Sequence, residues 1–246
     1  MSDLAIIGGT GLTALANLVV TATESVNTPW GEPSAPLIRG ELHGTAVVFL
    51  ARHGAAHTIP PHRINYRANI RALADAGIER IIAVAAVGGI HPRFAPATLA
   101  VPDQIIDYTW SRGHTFFEDD LEEVVHVDFT RPYSEALRAL LIRAAREAGV
   151  EVVEWGTYAA TQGPRLESAA EIDRLERDGC HVVGMTGMPE AVLAREAGIE
   201  YAHCTVVANA AAGRAGEVIR MEDIDANVRA GMQSVHRVLE RAVALA

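Results

Sequence analysis

The sequence predicts an α/β domain built on a largely parallel β-sheet. Three observations predict it. Short Val/Ile-rich runs that close in glycine alternate with helical apolar patterns, the order of a parallel sheet with crossover helices. Hydrophobic residues make up 49% of the 246 residues and aromatics 5%, which suits a well-buried core and not a disordered chain. No internal repeat or low-complexity linker divides the chain, so residues 1–246 read as one domain.

The elements follow in order. "LAIIGG" (4–9), "TAVVFLARHG" (45–54) and "RIIAVAAVGG" (80–89) read as buried strands, each short, β-branched and closed by glycine. Between the last two, "RINYRANIRALADAG" (63–77) reads as a helix with Gly77 just past its end. The segment 91–132 is polar and weakly patterned, so long loops are expected there. "SEALRALLIRAAREAG" (134–149) has a Ser cap, an apolar stripe at helical spacing and a closing Gly149. "SAAEIDRLERDG" (168–179) opens on Ser168 and Glu171, the spacing of a capping box. "CHVVGMT" (180–186) reads as a strand, "MPEAVLAREAG" (188–198) as a helix with Pro189 in its first turn, and "YAHCTVVAN" (201–209) as a strand. The last 25 or so residues form an amphipathic helix.

Bulk properties exclude several functions. A net charge of −10 with no long basic run argues against nucleic-acid binding by a broad cationic face. No apolar stretch reaches the roughly 18 residues of a membrane span. No basic segment followed by an apolar run and a cleavage site opens the chain, so a cytoplasmic protein is expected. Cys180 and Cys204 sit apart in apolar runs and read as reduced core residues. The ten histidines form neither an HExxH motif nor a zinc-spaced Cys/His cluster, so no metal is expected.

Three strand ends carry anion chemistry. In "IIGGTGL", Gly8, Gly9 and Gly11 leave backbone N–H groups open beside the Thr10 hydroxyl. The loop is neither a full dinucleotide fingerprint, since Ala14 holds the third glycine position, nor a Walker loop. In "FLARHGAAHTIPPHRINY", Arg52 and His53 leave a strand directly, where a guanidinium can grip an oxyanion with two bonds and a His can add a third. His57 and His62 also read as caps of the following helix. In "VVGMTGMPEAV", a strand delivers Met185 and Thr186 to a helix N-terminus, whose partial positive charge favours anions. The anion expected at three converging ends is phosphate. Each stretch alone also reads as a tight turn, a surface loop or a cap.

These stretches, with "GTYAATQGPRLESAAEI" and "VVANAAAG", resemble the purine nucleoside phosphorylase family, in particular its trimeric methylthioadenosine phosphorylase branch. They run in family order from residue 5 to residue 213. The resemblance implies a mixed, largely parallel central β-sheet flanked by helices, and phosphorolysis of an N-glycosidic bond, with inorganic phosphate as co-substrate and no other cofactor. It implies phosphate contacts from Thr10, Arg52, His53, the backbone at Ala85 and Ala86, and Thr186. Met185 would pack beneath the sugar. His126 would reach a neighbouring subunit's sugar pocket in a homotrimer, with a dimer of trimers as the larger alternative. Partners are then a small nucleoside and phosphate.

Two departures from that branch bear on the base. The branch carries aspartates where Asn209 and Ala211 stand, and a small hydroxyl residue where Glu167 follows Leu166. A carboxylate accepts from the amino group of a six-aminopurine, whereas Asn can donate to a six-oxopurine and Glu can accept its ring N–H. Glu167 also reads as a helix-start acid, and Asn209 as a strand-end cap. At the sugar end, Met221 stands where six-oxopurine enzymes place a His that bonds the 5′-hydroxyl. A thioether suits a methylthio group instead, although Met221 also reads as a helix-start core residue. The combination implies an oxopurine on methylthioribose, 5′-methylthioinosine. Alternatives are inosine/guanosine phosphorolysis, methylthioadenosine phosphorolysis, hydrolysis of the same nucleosides, or nucleotide binding without catalysis.

Overall fold

The computed structural model describes residues 3–119, 121–215 and 218–246. In chain order, β1 (Leu4–Gly8) is fully buried, as its unbroken apolar run requires. β2 (Val19–Glu24) and β3 (Leu37–Leu42) precede β4 (Thr45–Ala51). After a 3₁₀ turn at Pro61–Arg63 comes α1 (Tyr66–Asp75). β5 (Arg80–Gly89), β6 (Leu99–Ala100) and β7 (Gln104–Asp107) follow, then α2 (Glu135–Glu147), β8 (Val152–Val153) and β9 (Thr157–Ala160). The chain closes with α3 (Ala169–Arg177), β10 (Val182–Gly184), α4 (Gly187–Glu196), β11 (Glu200–Ala210) and α5 (Met221–Leu245).

Most expected elements are present, with shifted ends. The helix expected over 63–77 starts at Tyr66, because the Asn65 side chain accepts from the Ala68 N–H and caps it there. Gly77 has φ +79° just beyond its end. The Ser168–Glu171 capping box forms in both directions. The strand expected over 180–186 shrinks to β10, and Met188 breaks the start of α4 with φ −118° and ψ 140°. β6 and β7 lie inside 91–132, where loops were expected; after β7, the described residues of 108–133 form no helix or strand. Cys180 and Cys204 are free and buried.

Among the described residues, eleven strands form one branched sheet, with β4, β1, β5 and β11 parallel at its centre. Helices cover both faces. Alternate side chains of β5 divide between them: Ile82 and Val84 pack with α2 and α5, while Ile81, Ala83 and Val87 pack with α1 and α4. Each fully buried Leu or Ile contributes about 1.5–3 kcal/mol to this core. α3 closes a smaller cluster around Ile172 and Leu175. Among the described residues, no helix is long and apolar enough to cross a membrane.

One feature of register positions the site. β11 pairs with β5 along its whole length on one edge. On the other edge β1 pairs only with Arg80–Ala83, and β10 only with Gly88 and Gly89. Val84–Val87 therefore face a split between β1 and β10, at the carboxyl ends of the central parallel strands. That is where open α/β sheets place ligands.

Candidate active site

A cavity of about 210 Å³ occupies this split. Thr10, Arg52, His53, Ala85, Ala86 and Thr186 line it, as do Leu166, Glu167, Met185, Asn209, Ala211 and Met221. Seven elements and the loops after them deliver these residues from across the sequence. Of the residues that the resemblance places around phosphate, base and sugar, His126 lies elsewhere, exposed on the stretch between β7 and α2. A larger depression of about 520 Å³ adjoins at Glu167, between Tyr108, Trp110, Arg165 and Arg174. The anion-type residues meet in the smaller cavity, so it is taken as the site.

The anion end is built from buried parts. Arg52 is 0% exposed. Its Nε and Nη2 donate to the two Glu190 oxygens at 2.6 and 2.7 Å, and Nη1 donates to the Val84 carbonyl at 2.8 Å. The two-bond grip expected on an anion is thus made on Glu190, and one N–H remains on each terminal nitrogen. Burial alone would lower the Arg52 pKa; the adjacent Glu190 carboxylate outweighs it and holds the guanidinium charged. Gly9 is what lets this side chain under the loop: a Cβ there would stand 2.8 Å from Arg52 Nη1 and 2.6 Å from the Val84 oxygen.

A directional hydrogen-bond chain supports Glu190. The ionised carboxylate can only accept, so the Tyr201 hydroxyl donates to it at 2.8 Å. Tyr201 then accepts from His203 Nε2 at 2.9 Å, which leaves Nδ1 to accept from the Tyr133 hydroxyl at 3.2 Å. Burial, then the Arg52 charge, lowers the His203 pKa well below its ordinary value, so the ring is neutral as this chain requires.

His53 differs from expectation in the same way. Its Nδ1 lies 2.8 Å from the Ile59 carbonyl, so Nδ1 carries the proton. Burial, then Arg52, pushes its pKa down to about 4. A neutral His53 therefore presents Nε2 as a hydrogen-bond acceptor and has no second N–H to donate. Thr186 is buried and stands at the start of α4 without capping it, so its hydroxyl is not spent on the helix. The Thr10 hydroxyl lies 3.5 Å from His57 Nε2.

The other end is looser. A β-bulge between Val207 and Asn209 turns Asn209 into the cavity, and Asn227 of α5 holds it by donating to the Ala208 carbonyl at 2.8 Å. Asn209 Nδ2 donates to the Ala210 carbonyl at 2.7 Å, which leaves its second N–H. Ala211 packs into the α3 cluster, its Cβ 3.6 Å from where a Cβ on Gly88 would stand. Glu167 accepts from the Thr161 hydroxyl at 2.7 Å; Ser168, not Glu167, caps α3. Leu166 is 40% exposed and Met221, the first residue of α5, is 63% exposed.

Sequence reasoning did not find Glu190, Tyr201, His203, Tyr133 or Thr161. The signal for Glu190 was present: a lone carboxylate inside the apolar run "MPEAVLA".

Fold and cavity together define an α/β enzyme whose ligand site lies at the carboxyl ends of its central strands. Residues 3–244 match the family model described as "Phosphorylase superfamily". The chain belongs to that superfamily. It is 54% identical to "Probable S-methyl-5'-thioinosine phosphorylase" of Pseudomonas syringae pv. tomato, over 99% of each chain. It is 42% identical to "6-oxopurine nucleoside phosphorylase" of Pyrococcus furiosus, over 100% of this chain and 93% of that one. Methylthioadenosine phosphorylase from Schistosoma mansoni in complex with adenine superposes with a TM-score of 0.95 at 32% identity, covering 100% of this chain and 92% of that one.

Proposed function

We propose that this enzyme catalyses phosphorolysis of S-methyl-5′-thioinosine to hypoxanthine and 5-methylthioribose 1-phosphate. One observation carries the reading: a single cavity holds Asn209 and Glu167 together with the thioethers of Met185 and Met221, beside the anion end. Asn209 donates to the oxygen of a six-oxopurine, and Glu167 accepts its ring N–H. Met185 and Met221 offer a soft apolar surface to the methylthioribose. The names of the Pseudomonas and Pyrococcus relatives support the oxo base, and the first of them also supports the methylthio sugar.

The chemistry follows from charge flow. As the carbon–nitrogen bond stretches, the ribosyl group becomes cationic. Phosphate, held by Thr10, Thr186, the backbone at Ala85 and Ala86 and the free N–H groups of Arg52, stabilises that cation and attacks it. The leaving purine gains negative charge, which the Asn209 N–H stabilises. No cofactor other than phosphate enters this scheme.

A second reading, phosphorolysis of inosine or guanosine, is favoured by the exposure of Met221, which leaves the sugar wall open. Turnover of methylthioinosine, methylthioadenosine and inosine, with and without phosphate, separates the readings. Methylthioadenosine turning over fastest would sink the base assignment, equal turnover of inosine the sugar assignment, and phosphate-independent turnover the reaction itself.

The assembly belongs to the same proposal: a homotrimer, or a pair of trimers, in which His126 completes a neighbour's sugar pocket. Exposed Trp110, Leu121, Val124 and Val125 on the stretch that carries His126 support it. A monomer mass by sedimentation would refute it. Two separate free thiols support the cytoplasm as its compartment; a secreted protein on fractionation would refute that.

A further inference from the structure

The stretch between β7 and α2 holds a side chain that the reaction scheme leaves unused. Arg112 is only 9% exposed, and among the described residues it makes no ion pair. Six acceptors surround its guanidinium instead. Nε donates to Gln162 Oε1 at 3.2 Å; Nη1 shares its two hydrogens among the carbonyls of Met185 at 2.8 Å and Met188 at 2.6 Å and the Tyr66 hydroxyl at 3.2 Å; Nη2 donates to the carbonyls of Thr161 at 3.2 Å and Gln162 at 2.9 Å. The guanidinium also lies over the Tyr66 ring, 5.4 Å from its centre. A buried cation without a carboxylate is a costly way to fill space, sustained here only because every direction of the fork meets an oxygen.

The acceptors belong to segments that enter the cavity. Thr161 and Gln162 begin the loop that reaches Leu166 and Glu167, and the Thr161 hydroxyl itself bonds Glu167. Met185 is the sugar-side floor, followed by Thr186. Met188 precedes Pro189 and Glu190, the clamp on Arg52. The first two segments touch where the fork joins them: Gly163 has φ +60°, and a Cβ there would stand 2.3 Å from Met185 Sδ. Both their backbones and their side chains are thus set at contact distance.

Resting on the nucleoside-site reading above, we infer that Arg112 is a positioning residue, fixing the spacing between the Glu167 loop and the Met185 floor. It sets how far apart the base edge and the sugar are held, and hence which base–sugar pair fits. Lys cannot replace it. An ammonium is a point donor, and it cannot reach the Thr161–Gln162 and Met185–Met188 carbonyls on two sides at once.

The test varies nucleoside and phosphate separately in the wild type, Arg112→Lys and Arg112→Ala, after urea unfolding shows which variants fold. The nucleoside is whichever of methylthioinosine, inosine and methylthioadenosine the wild type turns over best. Failure of the proposed substrate therefore appears in the wild type and leaves this test standing. Arg112→Lys is expected to lose about 10- to 100-fold in kcat/KM for the nucleoside, with phosphate KM unchanged. Discrimination among the three nucleosides is expected to narrow. Added guanidinium ion should restore part of the Arg112→Ala activity, and methylammonium none. A folded Lys variant with wild-type nucleoside kinetics, or losses that fall equally on nucleoside and phosphate, would overturn the assignment.

Discussion

The two ends of the cavity are built on different principles. At the anion end Arg52, Glu190, Tyr201 and His203 are almost wholly buried, and the direction of each hydrogen bond forces the next. At the nucleoside end Asn209 and Glu167 are half-buried, Leu166 and Met221 are exposed, and each polar group keeps bonding capacity in reserve. A co-substrate common to every reaction of this kind can be met by fixed donors. A base and a sugar that differ between relatives are met by side chains that few other groups depend on. Selectivity can then change without cost to the core.

The contrast breaks most severely at Glu190. Glu190→Gln leaves the Arg52 charge buried without its counter-ion, with an expected loss of about 3–5 kcal/mol in unfolding free energy. Phosphate KM should rise and base preference should hold. Chemical denaturation and steady-state kinetics measure both, and a stable variant with unaltered phosphate KM would show the clamp to be dispensable.

Asn209→Asp tests the opposite end. The carboxylate repels a six-oxopurine, so kcat/KM for oxopurine nucleosides is expected to fall about 100-fold or more. Stability should fall by about 1 kcal/mol, since among the described residues the Asn209 side chain donates to the Ala210 carbonyl and a carboxylate cannot. Unchanged selectivity would falsify the role of Asn209.

The smallest effect sharpens the contrast through pH. His53 titrates near 4 when folded, against an ordinary 6.5, because of burial and then Arg52; His203 is lowered for the same reasons. Below pH 6.5 the unfolded chain binds protons that the folded one refuses. Stability that is full above 6.5 is therefore lost as pH falls toward 4, by about 1.4 kcal/mol per pH unit for each ring. His53→Asn keeps a donor for the Ile59 carbonyl and removes one titration. Thermal unfolding between pH 7.5 and 5 should show a shallower slope for this variant; an unchanged slope would mean that His53 is not held neutral.

Local chemistry alone determined much of this protein. The inner strands β1, β4, β5 and β11 are apolar runs closed by glycine or by the site itself, and the helices carry caps that work within a few residues, such as Ser168 with Glu171. The convergence of strand-end residues such as Thr10, Arg52, Thr186 and Asn209 on one cavity was legible because a polar group at the end of a buried strand has few structural uses. The edge strand β2 was not legible: its side chains are mostly exposed, so no burial pattern marks it. Only the tertiary structure decided what each polar group bonds. Arg52 read as a two-bond grip on an anion because its sequence neighbours cannot show that Glu190, 138 residues on, occupies two of its donors. Arg112 read as part of a polar loop because all six of its acceptors come from other segments, and five of the six bonds are to residues after 160. Periodicity reports burial along the chain; hydrogen-bond partners are fixed by the register of a sheet whose strands come from opposite ends of it.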